Sequence, residues 1–157
     1  MIGQEKLKYK CDVHVDIYEH DKLINTIDKS NLLLKTGKLI ILECMCNVVA
    51  NYGVLNSMAF GNSDSLATID DDIYNFGTYH VNNTTGYVLD LVNFDNVKIY
   101  WELTESEFNG NTIKTIGLVG SNKIYNMVFN RINLDLEEYV DKKPFVKLSG
   151  YWHIYFN

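Results

Sequence analysis

Two segments in which apolar and polar residues alternate strictly, one at each end of the chain, constrain the fold more than any other feature. From Leu7 to Ile17 the odd positions are apolar or aromatic, and the even positions are Lys, Asp or His. From Val146 to Phe156 the even positions are apolar or glycine, and the odd positions are Lys, Ser, Tyr or His. Because successive side chains of a strand point to opposite faces, each segment is predicted to be a strand with one buried face. Neither strand would be stable alone, so we expect the two apolar faces to share one core.

Shorter strand-like segments, separated by turns rich in Gly and Asn, fill most of the remaining chain. Residues 23–27 follow the first strand after a short turn, which predicts an N-terminal β-hairpin. Turns at residues 82–86 and at Asn109-Gly110 predict that the later strands form a regular meander. Residues 132–138 fit a strand and a helical turn equally well. The other predicted strands are residues 56–60, 78–81, 87–92, 97–103 and 124–129.

A helical period occurs only in residues 38–51. Leu39, Leu42 and Cys46 lie three and four positions apart, and Gly53 supplies a C-terminal stop. The β-branched residues of the same segment would also suit a strand. The fold is therefore predicted to be mainly β, an antiparallel β-sandwich-like structure with an N-terminal β-hairpin and one peripheral α-helix.

The length and composition indicate a single domain over residues 1–157. With 157 residues, of which 46% are hydrophobic, the chain can bury one sizeable core. Within this domain the hairpin and helix, residues 1–53, are a candidate docking element, and residues 54–157 are predicted to form the sandwich core. The aromatic content of 13%, with 11 tyrosines and a single proline, also favours sheet.

Charge and hydropathy exclude several classes of partner. The net charge of -6 opposes nonspecific binding to the phosphate backbone of nucleic acids, so no nucleic-acid binding is expected. No apolar stretch approaches the roughly 20 residues that a membrane helix needs, so no membrane insertion is expected. The N-terminus lacks the features of a signal peptide, which predicts synthesis and folding in a cytoplasm. Cys11, Cys44 and Cys46 are expected to be reduced, since Cys44 and Cys46 are too close for a routine disulfide.

No metal or cofactor site is predicted. The acidic run Asp70-Asp71-Asp72, with Asp64 nearby, could offer oxygens to calcium, but it lacks the spacing of an EF-hand loop, and a solvated acidic turn is the favoured interpretation. The four histidines are scattered, and the sequence has neither a Cys-x-x-Cys nor a His-Glu-x-x-His motif.

No catalytic site is predicted either. Glu105 and Glu107 imitate the carboxylate pair of a glycosidase, but they lie in an exposed turn where nothing in the sequence would separate their pKa values. The sequence also lacks nucleophile-elbow and phosphate-binding loops. We therefore expect a protein that is not an enzyme.

The aromatic residues of two predicted strands suggest a binding surface. Trp101 and Trp152 occupy apolar positions, which predicts that they belong to the core. Tyr100, Tyr151 and Tyr155 occupy the opposite, polar faces. Large rings that keep a hydroxyl group for a partner are enriched at interfaces, so these three tyrosines are the candidate partner-contact residues.

Four short motifs follow one another in the C-terminal two thirds of the chain. They are Ala-Phe-Gly-Asn at residues 59–62, an acidic connector at residues 71–75, Asn-Gly-Asn-Thr at residues 109–112, and the step to Ile-Gly-Leu at residues 113–118. Their order and spacing resemble the small β-rich baseplate and tail-fibre-associated proteins of contractile-tailed bacteriophages and R-type bacteriocins (tailocins). The sequence departs from that pattern at Thr115, where the resemblance leads one to expect an acidic residue.

The resemblance implies a structural protein of a contractile injection system. Such proteins are non-catalytic parts of a virion tail or phage-like particle and are synthesised and assembled in the bacterial host cytoplasm. They mediate assembly or fibre attachment at the tail tip. The implied partners are other baseplate or tail-fibre proteins and further copies of the chain, often as a trimer. The alternative is a carbohydrate-binding module that recognises the host surface at the same tail tip, and a tail-associated hydrolase is a third, less favoured reading.

Overall fold

The computed structural model describes residues 9–35, 37–39, 41, 54–93, 95–121 and 126–156. These residues form a mainly antiparallel β structure with very little helix, which confirms the predicted fold class. The strands are β1 (Tyr9–Glu19), β2 (Lys22–Ser30), β3 (Leu32–Leu33), β4 (Val54–Gly61), β5 (Tyr79–Asn83), β6 (Gly86–Leu89), β7 (Asn96–Leu103), β8 (Thr112–Ile113), β9 (Thr115–Ser121), β10 (Asn126–Asn133), β11 (Val140–Asp141) and β12 (Val146–Phe156). Short 3₁₀ turns span Ile73–Phe76 and Leu136–Glu138.

Sheet 1 has the strand order β2-β1-β12-β7-β6. The two alternating segments are neighbours in it, because β1 pairs with β12 from Tyr9 opposite Phe156 to Glu19 opposite Val146. The predicted N-terminal hairpin is confirmed as β1 and β2, whose tight turn places Asp21 at a φ of 61°. Sheet 1 is thus built around the first and last of the described strands.

Sheet 2 has the strand order β3-β10-β9-β4-β5, and β8 pairs with β11 in a small third sheet. The segment of residues 115–121, for which the sequence pattern predicts no strand, is β9. It lies in the middle of sheet 2 and pairs with β4 on one side and β10 on the other. Residues 115–120 are all buried, so β9 is covered on both faces, and a strand of this kind does not show the alternation by which the other strands are recognised.

The core lies between the two sheets, as a sandwich requires. Val13 of β1 and Trp152 of β12 belong to the same buried cluster as Phe60 of β4 and Ile116 of β9. Trp152 is fully buried, and its indole N–H donates to the Met58 sulfur at 2.9 Å. The expectation that the first and last strands share one core is therefore confirmed.

The later strands do not form the predicted meander. β5 belongs to sheet 2 and β6 to sheet 1, so the turn between them carries the chain from one sheet to the other. The backbone N–H of Thr84 donates to Asn56 of sheet 2, and the next N–H, that of Thr85, donates to Tyr100 of sheet 1. The turn that contains Gly110, at a φ of 80°, likewise leads out of sheet 1, from β7 to β8 of the third sheet.

The predicted division at residue 53 does not separate the hairpin from the sandwich. β1 is an inner strand of sheet 1, and β3 is an edge strand of sheet 2. The apolar side chains of β1, including Val15 and Ile17, lie in the common core. The hairpin is therefore part of the sandwich, because removing β1 would expose one side of β12.

In the described chain, α-helix is confined to one short segment. Residues 35, 37–39 and 41 are helical, so the helix begins before the predicted residue 38. Most of the predicted helix, with Cys44 and Cys46, lies outside the described residues. Within the described residues, no helix is long and apolar enough to cross a membrane. Cys11 is a buried free thiol whose pKa burial raises to about 11.

Candidate functional site

The three tyrosines singled out in the sequence lie on one surface. Tyr151 and Tyr155 project from β12 and Tyr100 from β7, on the side of sheet 1 that faces away from sheet 2, here called the outer face. Tyr100 and Tyr151 are opposite each other in the ladder, and their ring centroids are 5.7 Å apart at an interplanar angle of 58°. Trp101 and Trp152 point to the other side and are buried, as predicted. The structure thus brings the predicted contact residues together.

Tyr151 is held by side chains from both neighbouring strands. His14 of β1 stacks on its ring, with centroids 4.9 Å apart and an interplanar angle of 17°. Lys98 of β7 places its Nζ 4.6 Å from the ring centroid, within the range of a cation–π contact. Because β12 lies between β1 and β7, these contacts approach Tyr151 from its two sides. The ring is therefore fixed in place without any partner.

Tyr155 is fixed through its hydroxyl group. The Tyr155 O–H donates to Asp12 Oδ2 at 2.7 Å, and the Ser30 hydroxyl donates to Asp12 Oδ1, also at 2.7 Å. The hydrogen bond to Asp12 raises the pKa of the Tyr155 phenol. The His153 ring lies 4.9 Å from the Tyr155 ring, and burial followed by the Lys98 charge lowers the pKa of His153. His153 is consequently neutral near pH 7.

The half of the outer face formed by β1 and β2 is acidic. His14 Nδ1 lies 2.7 Å from Asp28 Oδ1, and His14 Nε2 lies 3.4 Å from Asp16 Oδ1. The Thr26 hydroxyl donates to Asp16 Oδ1 at 2.7 Å. Despite these carboxylates, no group of three or more His, Cys, Asp or Glu side chains in the described part of the chain has the arrangement of a metal site.

The outer face is shallow. Three open depressions lie along it, with volumes of about 320, 300 and 400 Å³. His14 and Tyr151 line both the first and the last of them, and Tyr155 lines the second. A surface of this shape suits contact with another macromolecule better than enclosure of a small molecule.

The acidic turn at residues 70–72 differs from its predicted solvated state, because Asp71 is buried. Its Oδ2 accepts from Arg131 Nη1 at 2.5 Å, and both of its oxygens accept from Thr68, at 2.9 and 2.7 Å. Although burial alone would raise the pKa of Asp71, the hydrogen bonds from Thr68 and Arg131 lower it. The carboxylate is therefore occupied by protein donors and has a structural role.

Thr115 takes part in the same cluster. Its hydroxyl accepts from Arg131 Nε at 2.9 Å and donates to the Ile132 carbonyl at 2.7 Å. Arg131 Nη2 also donates to the Ser65 carbonyl at 2.8 Å, and the guanidinium lies 5.1 Å from the Phe76 ring centroid. At position 115 the resemblance leads one to expect an acidic residue. The threonine found there accepts a hydrogen bond from arginine through its hydroxyl group instead.

Glu107 also differs from the predicted solvated state. Its Oε2 accepts from the backbone N–H and the hydroxyl of Thr104, both at 2.7 Å, and from Asn82 Nδ2 at 3.2 Å. Burial would raise the pKa of Glu107, but the Thr104 and His80 contacts lower it. The side chain of Glu105 is exposed. Glu107 is thus an ionised anchor of the loop between β7 and β8 and has no proton to give as a general acid.

Comparison of the sequence and the structure with protein-family models, curated proteins and solved structures finds no match. The site must therefore be interpreted from its own residues. The sequence pattern identifies the three tyrosines but misses that His14, Lys98 and Asp12 fix them. All three occupy polar positions of alternating strands, but only the pairing of β1 and β7 with β12 brings them beside the tyrosines.

Proposed function

We propose that the protein is a non-enzymatic structural component that binds another protein through the outer face of sheet 1. The observation that carries this proposal is the set of three tyrosines, fixed by cross-strand contacts beside an acidic half-face. The proposed setting is the baseplate or tail fibre of a contractile phage tail or phage-like particle. That setting is supported by the sequence resemblance alone, whereas the binding role is supported by the geometry of the outer face.

The tyrosine side chains are held in place before any partner binds, which favours a binding role. Tyr buries a large area on contact and keeps a hydroxyl group that can bond to the partner. Tyr151 and Tyr155 are already held by His14, Lys98 and Asp12, so little side-chain freedom would be lost on binding. Tyr100 is 38% exposed, which leaves its ring available to a partner.

The charges of the outer face indicate what kind of protein it binds. Asp12, Asp16 and Asp28 form its acidic half, and the whole chain carries a net charge of -6. A partner that presents Lys or Arg side chains would be attracted to this half, whereas another acidic surface would be repelled. We therefore propose a neighbouring tail protein with a basic patch as the occupant.

The arrangement of Tyr151 favours a protein partner over a glycan. A sugar ring stacks on the open face of an aromatic side chain, but His14 and Lys98 approach Tyr151 from its two sides. Tyr100, tilted by 58° against Tyr151, does not continue a flat platform with it. The carbohydrate-binding alternative therefore depends on Tyr100 and Tyr155, and it becomes one outcome of the test.

The test is complementation of a tail-producing strain that lacks this chain. The double variant Tyr100→Ala/Tyr151→Ala removes two rings from the outer face, and Tyr74→Ala, which is 79% exposed at a different site, is the matched control. We expect both variants to fold, as judged by circular dichroism. Incorporation into purified tail particles should fall at least about tenfold in the double variant and remain unchanged in the control, as for an interface hot spot.

Two results would overturn the proposal. Incorporation of the folded double variant at the wild-type level would show that the outer face does not bind a tail protein. Binding of the purified protein to host surface polysaccharide, lost in the double variant while particle incorporation is kept, would establish the carbohydrate-binding alternative.

A further inference from the structure

The strand β6 forms an edge of sheet 1 and is exposed on both sides. All four of its residues, Gly86 to Leu89, are exposed, and it pairs with β7 alone among the described strands. Tyr87 is 70% exposed, and the following turn adds Leu91 at 70% and Val92 at 84%. Apolar side chains therefore surround an open backbone edge.

β6 is short, at four residues, but it lacks the other features that normally protect such an edge. Charged side chains, bulges and very short length all discourage the addition of another strand. At the opposite edge of sheet 1, β2 carries Lys22, Asp28 and Lys29 and has a shift of register against β1. In sheet 2, the edge strand β3 has two residues and β5 is largely polar. β6 has no charge, and its register with β7 is regular.

The hydrogen-bond pattern shows which backbone groups face outward. The Asp90 N–H donates to the Asn96 carbonyl, which makes that position a bonded pair of the β6–β7 ladder. Bonded and non-bonded pairs alternate along an antiparallel ladder, so Val88 directs its backbone groups toward β7. Tyr87 and Leu89 consequently direct theirs to the open side.

Sheet 1 also extends beyond sheet 2 at this edge. Tyr87 is opposite Ile99 in the ladder and Leu89 is opposite Val97, which places both side chains on the core side of the sheet. Ile99 is 6% exposed, whereas Tyr87 is 70% and Leu89 is 52% exposed. The described part of sheet 2 thus leaves an apolar overhang under β6.

We propose that β6 is a docking strand for a second copy of this chain, which adds its own β6 in antiparallel orientation about a two-fold axis. Val88 faces Val88 of the second copy, and Tyr87 faces Leu89 in a bonded pair on each side of the axis. The two sheets then form one continuous sheet, and the apolar overhangs of both copies meet beneath it. Val88 lies on the outer face, opposite Lys98, but the interface uses the strand edge and none of the three tyrosines, so it does not rest on the function proposed for them.

The self-complementary register of β6 is the reason for choosing a second copy as the occupant, and the absence of charge on the strand permits the pairing. Two chains that each carry a net charge of -6 repel each other at most orientations, and a neutral strand provides a place where they can pair. In the proposed register Asp90 lies opposite Gly86 of the second copy, so no acidic side chain faces another. A self-complementary strand also satisfies the requirement of a two-fold interface that the same patch serves both subunits.

The first experiment is sedimentation of the full chain between about 1 and 500 µM, where a small interface gives a dissociation constant on the order of micromolar. Wild type should show a monomer–dimer equilibrium. Val88→Lys places two ammonium groups across the axis, which should raise the dissociation constant about tenfold or more. Ile24→Lys, at a residue 52% exposed on the β2 edge, is the matched control and should dimerise like wild type.

The second experiment tests the register by cross-linking. Facing residues of a non-bonded antiparallel pair have Cα atoms about 4.5 Å apart, which a disulfide can span. Val88→Cys should therefore form a covalent dimer on mild oxidation, whereas wild type and Ile24→Cys should not. A wild-type chain that stays monomeric throughout, a dimer that Val88→Lys leaves intact, or a dimer that Val88→Cys does not cross-link would each overturn the proposal.

Discussion

Replacing Asp71 by Asn should destabilise the protein far more than the same change at Asp70. The two carboxylates are adjacent in sequence, and each pairs with a basic side chain. Asp71 and Arg131 have side-chain exposures of 5% and 0%, whereas Asp70 and Lys35 have exposures of 67% and 60%. The comparison therefore isolates the effect of burial on an ion pair.

The expected magnitudes differ severalfold. Asp71→Asn leaves the buried guanidinium of Arg131 without its counter-charge, and loss of one partner of a buried pair costs about 3–5 kcal/mol. Asp70→Asn removes an exposed pair, which contributes about 0–1 kcal/mol. For a chain of this size, the first change should lower the melting temperature by roughly 6–20 °C and the second by less than about 4 °C.

A double-mutant cycle attributes the loss to the pair itself. Arg131→Met alone should also be strongly destabilising, because it leaves buried Asp71 without its counter-charge and Thr115 without the Nε–H donor. The double variant Asp71→Asn/Arg131→Met removes both charges, so its loss should be smaller than the sum of the single losses by about 1–3 kcal/mol. Denaturant unfolding, monitored by tryptophan fluorescence, measures all three values.

The pH dependence provides a second readout. The pKa of Asp71 is lower in the folded state than its ordinary value, so its contribution is fully present above the unfolded pKa of about 3.9. That contribution is lost as the pH falls through the folded-state pKa. Wild type should therefore lose stability below about pH 4 more steeply than Asp71→Asn. Equal unfolding free energies for Asp71→Asn and Asp70→Asn would refute the reasoning.

Three further outcomes are expected. Trp152→Ala should lower the unfolding free energy by about 3–5 kcal/mol in denaturant titrations, because the indole is fully buried between the sheets. Gly150→Ala should lower the unfolding free energy by about 1–3 kcal/mol, because the added methyl group would overlap a backbone carbonyl of β1. At Gly86 an added methyl group meets nothing within 4 Å, so Gly86→Ala should change the stability little. Equal unfolding midpoints for the two variants would contradict this. Glu105 and Glu107 should not support cell-wall hydrolysis, because Glu107 is ionised and anchored. In a cell-wall hydrolysis assay, the purified wild-type protein and the Glu105→Gln/Glu107→Gln variant should therefore give the same result.

The elements that the sequence predicted well are those whose evidence is local. The alternation in β1 and β12 identified both strands and the burial of Val13 and Trp152. The same alternation could not identify strand partners, because a period of two residues shows which side is buried but not which strand is adjacent. The crossing at Thr84 and Thr85 therefore escaped prediction, since only backbone bonds to the two different sheets reveal it.

The buried ion pair shows a second limit. An acidic run normally lies in solvent, and the partner of Asp71 is 60 residues away in sequence. One local signal was present, because Arg131 is the only arginine in a chain otherwise rich in lysine, and it lies between the predicted strand of residues 124–129 and the segment of residues 132–138. Arg suits a buried, multiply bonded position better than Lys does. Its neighbour in space, Thr115, could be identified only from the pairing of β9 with β10.

For the candidate site too, the sequence predicted the local features but not the contacts between strands. Tyr100, Tyr151 and Tyr155 were predicted correctly to lie on the polar sides of their strands, because that assignment needs only the alternation. Their fixation by His14 and Lys98 depends on the strand order of sheet 1. A sequence pattern therefore finds surface aromatics but not the contacts that hold them in place.

Cross-linking mass spectrometry of purified tail particles tests the central proposal most directly. Lys98 lies beside Tyr151 on the outer face, and Lys10 lies 5.8 Å from the Tyr155 ring centroid, so both amines report on this surface. Lys142 is buried at 1% exposure and serves as the internal control. The proposal predicts that the chain is present in the particles and that Lys98 or Lys10 is linked to a different tail protein. Absence of the chain from the particles, or links from other surfaces only, would contradict it.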